Sequence, residues 1–209
     1  MMKNGAIRKG VRMRHGFTSD ISITIPSWIS GYLERTRTVL ATALERMDLV
    51  IELARKNIEH KTGGPFAAAV FNTQSGELIS AGVNLVTRSN LSVCHAEILA
   101  IMQAQTILGN FDLGAPAMPC CQLVTSTAPC AMCLGALPWS GVKELVCGAR
   151  DEDARSVGFD EGAKCSDWIE QLQKRGIQVI TDISRTRASE VLRAYALSGG
   201  VIYNGRAQK

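Results

Sequence analysis

Apolar residues along the chain follow two rhythms, and each predicts a different kind of element. Leu40, Leu44, Met47, Ile51, Ala54 and Ile58 recur at steps of four and three, the spacing that lines one face of a helix. Thr42 and Glu45 have capping-box spacing at its start, with Thr38 as an alternative cap, and Gly63-Gly64-Pro65 closes it. Phe66 to Asn72 and Leu78 to Val86 read as strands, and the short polar turn from Thr73 to Gly76 makes them a hairpin. Ala96 to Leu108 is apolar nearly all round and stops at Gly109, as expected of a helix packed centrally on a sheet. A short strand (Leu123 to Ser126), a short helix (Cys130 to Leu137) and another strand (Glu144 to Ala149) follow. Ser166 can cap a helix whose Trp168, Ile169 and Leu172 face inward, with Gly176 just past its end. Gln178 to Thr181 is the last strand, and Ala188, Val191, Leu192 and Tyr195 mark a final helix before Gly199-Gly200.

Strands alternating with helices argue for parallel pairing through crossovers. The predicted fold class is α/β: a three-layer α/β/α domain on a mixed five-stranded sheet, antiparallel only at the first hairpin. It spans residues 39–209, behind a basic tail and extension at 1–38. The length of 209 residues suits one such domain, and no internal repeat is visible. Hydrophobic residues at 46% and charged residues at 20% exclude a disordered chain, and no run has the ~18 apolar residues of a membrane span.

The formal charge of +4 is unevenly spread. Lys3, Arg8, Lys9, Arg12 and Arg14 all precede the first acid, Asp20, and from Asp20 onward acids outnumber bases by one. The body therefore lacks the electrostatic footprint of a nucleic-acid binder. The Arg-rich, acid-free start has the charge of an organelle-targeting segment but not its Ser content or apolar helical face, and reads as a solvated tail. Seven irregularly spaced cysteines with no signal peptide ahead of them point to a reducing, cytoplasmic setting, where cysteine is core filler or metal ligand.

Two clusters carry chemistry: Cys94-His95-Ala96-Glu97 and Pro129-Cys130-Ala131-Met132-Cys133, each opening a predicted helix. Cys130 and Cys133 are three apart, so in a first helical turn both sulfurs can point to one metal. The helix N-terminus favours their thiolates. Pro129 fits that first turn, where its missing N–H costs nothing. With His95 from the other helix, zinc would have three protein ligands and a fourth position for water, the arrangement of a catalytic site. Two thiolates and a neutral imidazole leave the centre without net charge, so it acidifies water weakly and needs a carboxylate base. Glu97, two residues after His95, is placed to be that base. H-x-E followed by P-C-x-x-C is the general signature of zinc nucleobase deaminases. Taken singly, Cys130 and Cys133 could be a redox pair or half of a structural site completed by Cys94, Cys120, Cys121 or Cys147.

These clusters, in this order on this pattern, resemble the cytidine deaminase superfamily from about Val39 to Gly205. Pro129 through Trp139, Gly158-Phe159-Asp160-Glu161, Gly64-Pro65-Phe66-Ala67-Ala68-Ala69-Val70 and Gly82-Val83-Asn84 are similar to bacterial guanine deaminases, notably those that also accept the triazine ammeline. The resemblance implies a zinc-dependent aminohydrolase of purine catabolism converting guanine to xanthine and ammonia. It implies that Phe66 stacks on the purine, that Asn84 hydrogen-bonds its edge, and that Ala96 and Trp139 contribute to the pocket. Glu161, or its neighbour Asp160, would be a second acid near the leaving amine. Tyr203 would help close the site, in this group often from the partner subunit of a homodimer. The partners expected are thus a small purine or triazine base and a second copy, with no membrane and no nucleic acid.

Two other readings compete. One is a superfamily enzyme acting on cytosine, cytidine or tRNA adenosine, for which Arg185, Arg187, Arg193 and Arg206 are the remnant of a basic surface. The other is a non-catalytic zinc protein with four ligands, against which Glu97 stands.

Overall fold

The computed structural model describes residues 21–205; the cluster between Lys3 and Arg14, and Arg206, lie outside them. In chain order the elements are α1 (Ser27–Leu33), α2 (Ala43–Glu59), β1 (Ala67–Asn72), β2 (Leu78–Val83), α3 (Val86–Ser89), α4 (Ala96–Leu108), β3 (Cys121–Thr127), α5 (Ala131–Ser140), β4 (Glu144–Ala149), α6 (Asp151–Ser156), α7 (Trp168–Gln173), β5 (Gln178–Ile180) and α8 (Arg185–Leu197). The capping box of α2 is formed: Thr42 Oγ1 accepts from the Glu45 amide, and the Glu45 carboxylate accepts from the Thr42 amide at 2.9 Å. Such a cap is worth about 1 kcal/mol. The buried stripe of α2 starts at Met47; Leu44, in the first turn, is exposed.

Five strands form one sheet in the order β2-β1-β3-β4-β5. Strand residues alternate between its two faces, which buries both. Ala67, Ala69, Phe71, Val124 and Val146 pack under α1, α2 and α8, while Ala68, Val70, Leu123 and Leu145 pack under α4, α5 and α7. The three-layer reading holds, with one correction to the pairing. Besides the β1–β2 hairpin, β1 also pairs antiparallel with β3, and only β3–β4 and β4–β5 are parallel. The reason is placement: α4 carries the chain back across β2 and β1, so β3 docks beside β1 and runs parallel to β2, opposite to the strand between them.

The first helix of the chain, α1, has no counterpart in the apolar pattern. It is anchored by tertiary contacts: Ile29 is buried, and the Trp28 ring stacks on His60 at 4.9 Å while its Nε1 donates to Thr62 Oγ1. The outer face of α4, expected to be covered, leaves Met102 and Ile107 exposed. Cys94, Cys121 and Cys147 are buried as filler, whereas Cys165 is exposed. Arg185 pairs with Asp153 and Arg187 with Asp48, so two of the four arginines of the residual basic surface are neutralised.

Candidate active site

The chemistry-bearing clusters meet at one end of the sheet, where β2 and β3 finish, β1 starts, and α4 and α5 begin. His95 is the N-cap of α4 and Cys130 the N-cap of α5, with Cys133 in the first turn of α5. Their ligand atoms lie within 4.8 Å of one another, and His95 Nδ1 is 3.5 Å from Cys130 Sγ. Among the described residues no further His, Cys, Asp or Glu joins this group, so a four-ligand structural site does not form. One imidazole and two sulfurs, converging at two helix N-termini, match the donor set zinc takes.

Two glycines bring the parts together. A Cβ on Gly82 would sit 2.3 Å from the Ala96 carbonyl and 2.6 Å from the Ala100 nitrogen, so α4 can lie this close to β2 only over glycine. A Cβ on Gly63 would meet the Asn84 carbonyl at 1.8 Å. That same carbonyl accepts from Asn57 Nδ2, which also donates to the Gly64 carbonyl, tying the loop before β1 to the end of β2. Asn57 is fully buried on the apolar stripe of α2, and Thr62 in turn donates to its Oδ1.

The electrostatics divide the acids and thiols by role. A hydrogen bond from the Cys133 thiol lowers the Cys130 pKa to about 4, with His95 helping against the cost of burial. Cys133 is pushed up correspondingly, by its bond to the Cys130 sulfur, by burial and by the Glu97 charge. Burial opposes charge on His95, but the Cys130 hydrogen bond and the Glu97 carboxylate outweigh it and raise its pKa. Glu97, in the first turn of α4, is 6% exposed; burial and the Cys130 charge both raise its pKa. Glu161 is 5% exposed and is raised to about 8, first by burial and then by Cys130, Asp151 and Glu97.

Around the trio lies a cavity of about 40 Å³ whose walls include Glu97, Glu161, Phe66, Asn84, Thr127 and Tyr203. Phe66 stands edge-to-face against Phe159 at 4.8 Å. The Tyr203 hydroxyl accepts from Asn84 Nδ2 at 2.8 Å and lies 3.3 Å from His95 Nε2. In the tautomer in which Nε2–H donates there, Nδ1 would present its lone pair to a metal held between it and the two sulfurs. Burial raises the Tyr203 phenol to about 12, so it keeps its proton. The C-terminal strap that carries Tyr203 is held by its own chain: Asn204 accepts from the Asp160 amide and donates to the Gly158 carbonyl, and Tyr195 donates to the Val201 carbonyl.

Of the residues singled out in the sequence, Phe66, Asn84, His95, Glu97, Cys130, Asp160, Glu161 and Tyr203 line this cavity, with Cys133 directly behind. Within the acidic pair, Glu161 is the buried member. Asp160 is exposed at the rim, beside Arg155 at 3.7 Å. Two residues fall elsewhere. Trp139 is 85% exposed, because it lies nine residues beyond Cys130 at the far end of α5, about 14 Å along the axis. The Ala96 side chain faces the core between α4 and the sheet and leaves the wall to others. Thr127, Ala128 and Asn57 were missed. Asn57 could have been found as an uncharged polar residue among the buried positions of α2, and Thr127 by counting in twos from Leu123.

Residues 41–149 match the family model of the cytidine and deoxycytidylate deaminase zinc-binding region. Guanine deaminase of Bacillus subtilis (strain 168) is 39% identical over 111 residues, 53% of this chain and 67% of that protein. A solved structure of guanine deaminase from Nitrosomonas europaea is 45% identical with a TM-score of 0.82, covering 87% of this chain and 99% of that one. A structure of NE0047 in complex with 2,6-diaminopurine is 48% identical, also at 0.82, covering 88% and 96%.

Proposed function

Since the chain belongs to the cytidine and deoxycytidylate deaminase family, we propose that it is a zinc-dependent aminohydrolase that converts guanine and water to xanthine and ammonia. The observation that carries this reading is the convergence of His95, Cys130 and Cys133 beside a buried Glu97, in a chain 45% identical to a guanine deaminase over nearly its whole length. His95, Cys130 and Cys133 hold the metal, and zinc bound there supplies the Lewis acidity that makes water a nucleophile near neutral pH.

The remaining steps belong to the chain's own side chains. Phe66 offers its ring for stacking on the base, and Asn84 meets the base's polar edge. Glu97 takes the proton from the water that attacks C2 and delivers it to N3 of the ring. Glu97 then takes the second proton, from the new C2 hydroxyl as it becomes the carbonyl. The 2-amino group leaves as ammonia carrying that proton, delivered by Glu97 directly or given by Glu161 and restored to it from Glu97. Glu161, held protonated near neutrality, is suited to that donation. Tyr203 closes the cavity, and Asp160 stands at the rim. The cavity as closed has room for water and is far smaller than the roughly 300 Å³ and upward of common ligand pockets, so the strap has to shift to admit a base. Ammeline presents an amino group and ring nitrogens to the same partners and is a second candidate substrate.

The working form we infer is a cytoplasmic homodimer in which each C-terminal segment lies at a partner's site. The contacts Tyr203 and Asn204 make within one chain are those an exchanged strap would make with another. Among the described residues no helix is long and apolar enough to cross a membrane. Glu97→Gln tests the chemistry: it should keep its zinc and lose turnover by about three orders of magnitude. Near-normal ammonia release from that variant would refute the mechanism.

A further inference from the structure

We propose that the Thr127 hydroxyl hydrogen-bonds the bound base and helps determine which heterocycles the site accepts. The inference rests on the guanine reading above and assigns a specificity role to a residue outside the signature motifs. Counting in twos from Leu123 places Thr127 on the face of β3 turned toward α4 and α5, the side on which His95 and Cys130 stand.

The main chain around it is fully tied. Thr127 pairs with Ala149 across the parallel β3–β4 register, its carbonyl accepts from Thr125 Oγ1 at 3.0 Å, and the next amide donates to Ala149. The two neighbouring hydroxyls are also satisfied, since Ser126 Oγ accepts from the Ala67 amide and Thr125 Oγ1 donates to Thr127. Only Thr127 Oγ1 breaks this pattern. Its residue is 4% exposed, the oxygen is buried with no hydrogen-bond partner, and Thr127 is one of the residues around the cavity with Glu97, Glu161 and Cys130. A buried hydroxyl without a partner is costly. The second unpartnered buried hydroxyl among the described residues, Ser189, is on α8 and does not line the cavity. A threonine hydroxyl both donates and accepts, and its β-branched side chain is confined to few rotamers. It is therefore a preorganised partner for a heterocycle that presents a ring nitrogen or a ring N–H, and it discriminates against bases with carbon at that position.

The test uses full-length, zinc-loaded protein with Thr127→Val, which removes the hydroxyl and keeps the shape, and Thr127→Ser, which keeps the hydroxyl. Zinc content, melting temperature, kcat and KM for guanine and Kd for 8-azaguanine are measured. Thr127→Val should lose about tenfold in kcat/KM and in Kd, with zinc unchanged and melting no lower than wild type; Thr127→Ser should stay within about twofold of wild type. Equal binding by wild type and Thr127→Val overturns the assignment, as does a Thr127→Ser that falls as far as Thr127→Val. Wild-type protein that neither binds 8-azaguanine nor deaminates guanine overturns the underlying reading as well.

Discussion

Glu161 illustrates how burial sets a side chain's state before any substrate arrives. Its carboxyl is raised from the ordinary 4.5 to about 8, chiefly because the ion would have to shed water. Between those values the folded protein binds a proton that the unfolded chain has released. Stability from this group is therefore complete below pH 4.5 and drains away as pH rises through about 8. Glu161→Gln, which cannot ionise, should gain in melting temperature relative to wild type across that window. A difference that does not move with pH would place Glu161 in a more hydrated setting. His95, Glu97, Cys130 and Cys133 were legible from spacing alone, because metal ligation and a neighbouring base demand those residue types at helix starts. Phe66, Asn84 and Tyr203 were reached only through a resemblance. Trp139 and the Ala96 side chain were misplaced, since spacing along a helix does not say how far its axis runs from the site.

Among the elements, α4 is the one whose placement matters most, since its N-cap and first turn carry His95 and Glu97 onto the sheet. That placement depends on Gly82, where a methyl would press on the α4 backbone at 2.3 and 2.6 Å. Gly82→Ala should destabilise the fold by about 1–3 kcal/mol, the usual cost of overpacking, and lower zinc occupancy with it. Thermal melts together with metal analysis would check this, and a variant with normal stability and full zinc would contradict it. The ends of α4 and β4 were readable to the residue, because Gly109 and an unbroken apolar run are local signals. Helix α1 and the β1–β3 pairing were not. Seven residues without a strong apolar stripe become a helix only when Trp28 and Ile29 find partners elsewhere, and which strand β3 joins is decided by where α4 returns the chain.

For the whole molecule, the strap and the chain's partners decide how the site closes. Mixing Glu97→Gln subunits with subunits ending at Gly200 tests strap exchange. Each lacks one essential part, so activity should reappear in the mixture if the strap closes the partner's site. Silence from a mixture shown to contain hybrid dimers would mean that each strap serves its own chain. The bases in excess of acids lie in the first residues, and the body's Arg185 and Arg187 are paired with Asp153 and Asp48, which argues against a surface built for a polyphosphate such as RNA. The central claim is most directly tested by quantifying zinc in the purified protein and measuring ammonia release from guanine beside cytosine, cytidine, adenine and tRNA adenosine. The account predicts one zinc per chain and stoichiometric xanthine and ammonia from guanine, with the other four substrates unreacted. Ammonia from cytidine or inosine in tRNA, with guanine untouched, would contradict it.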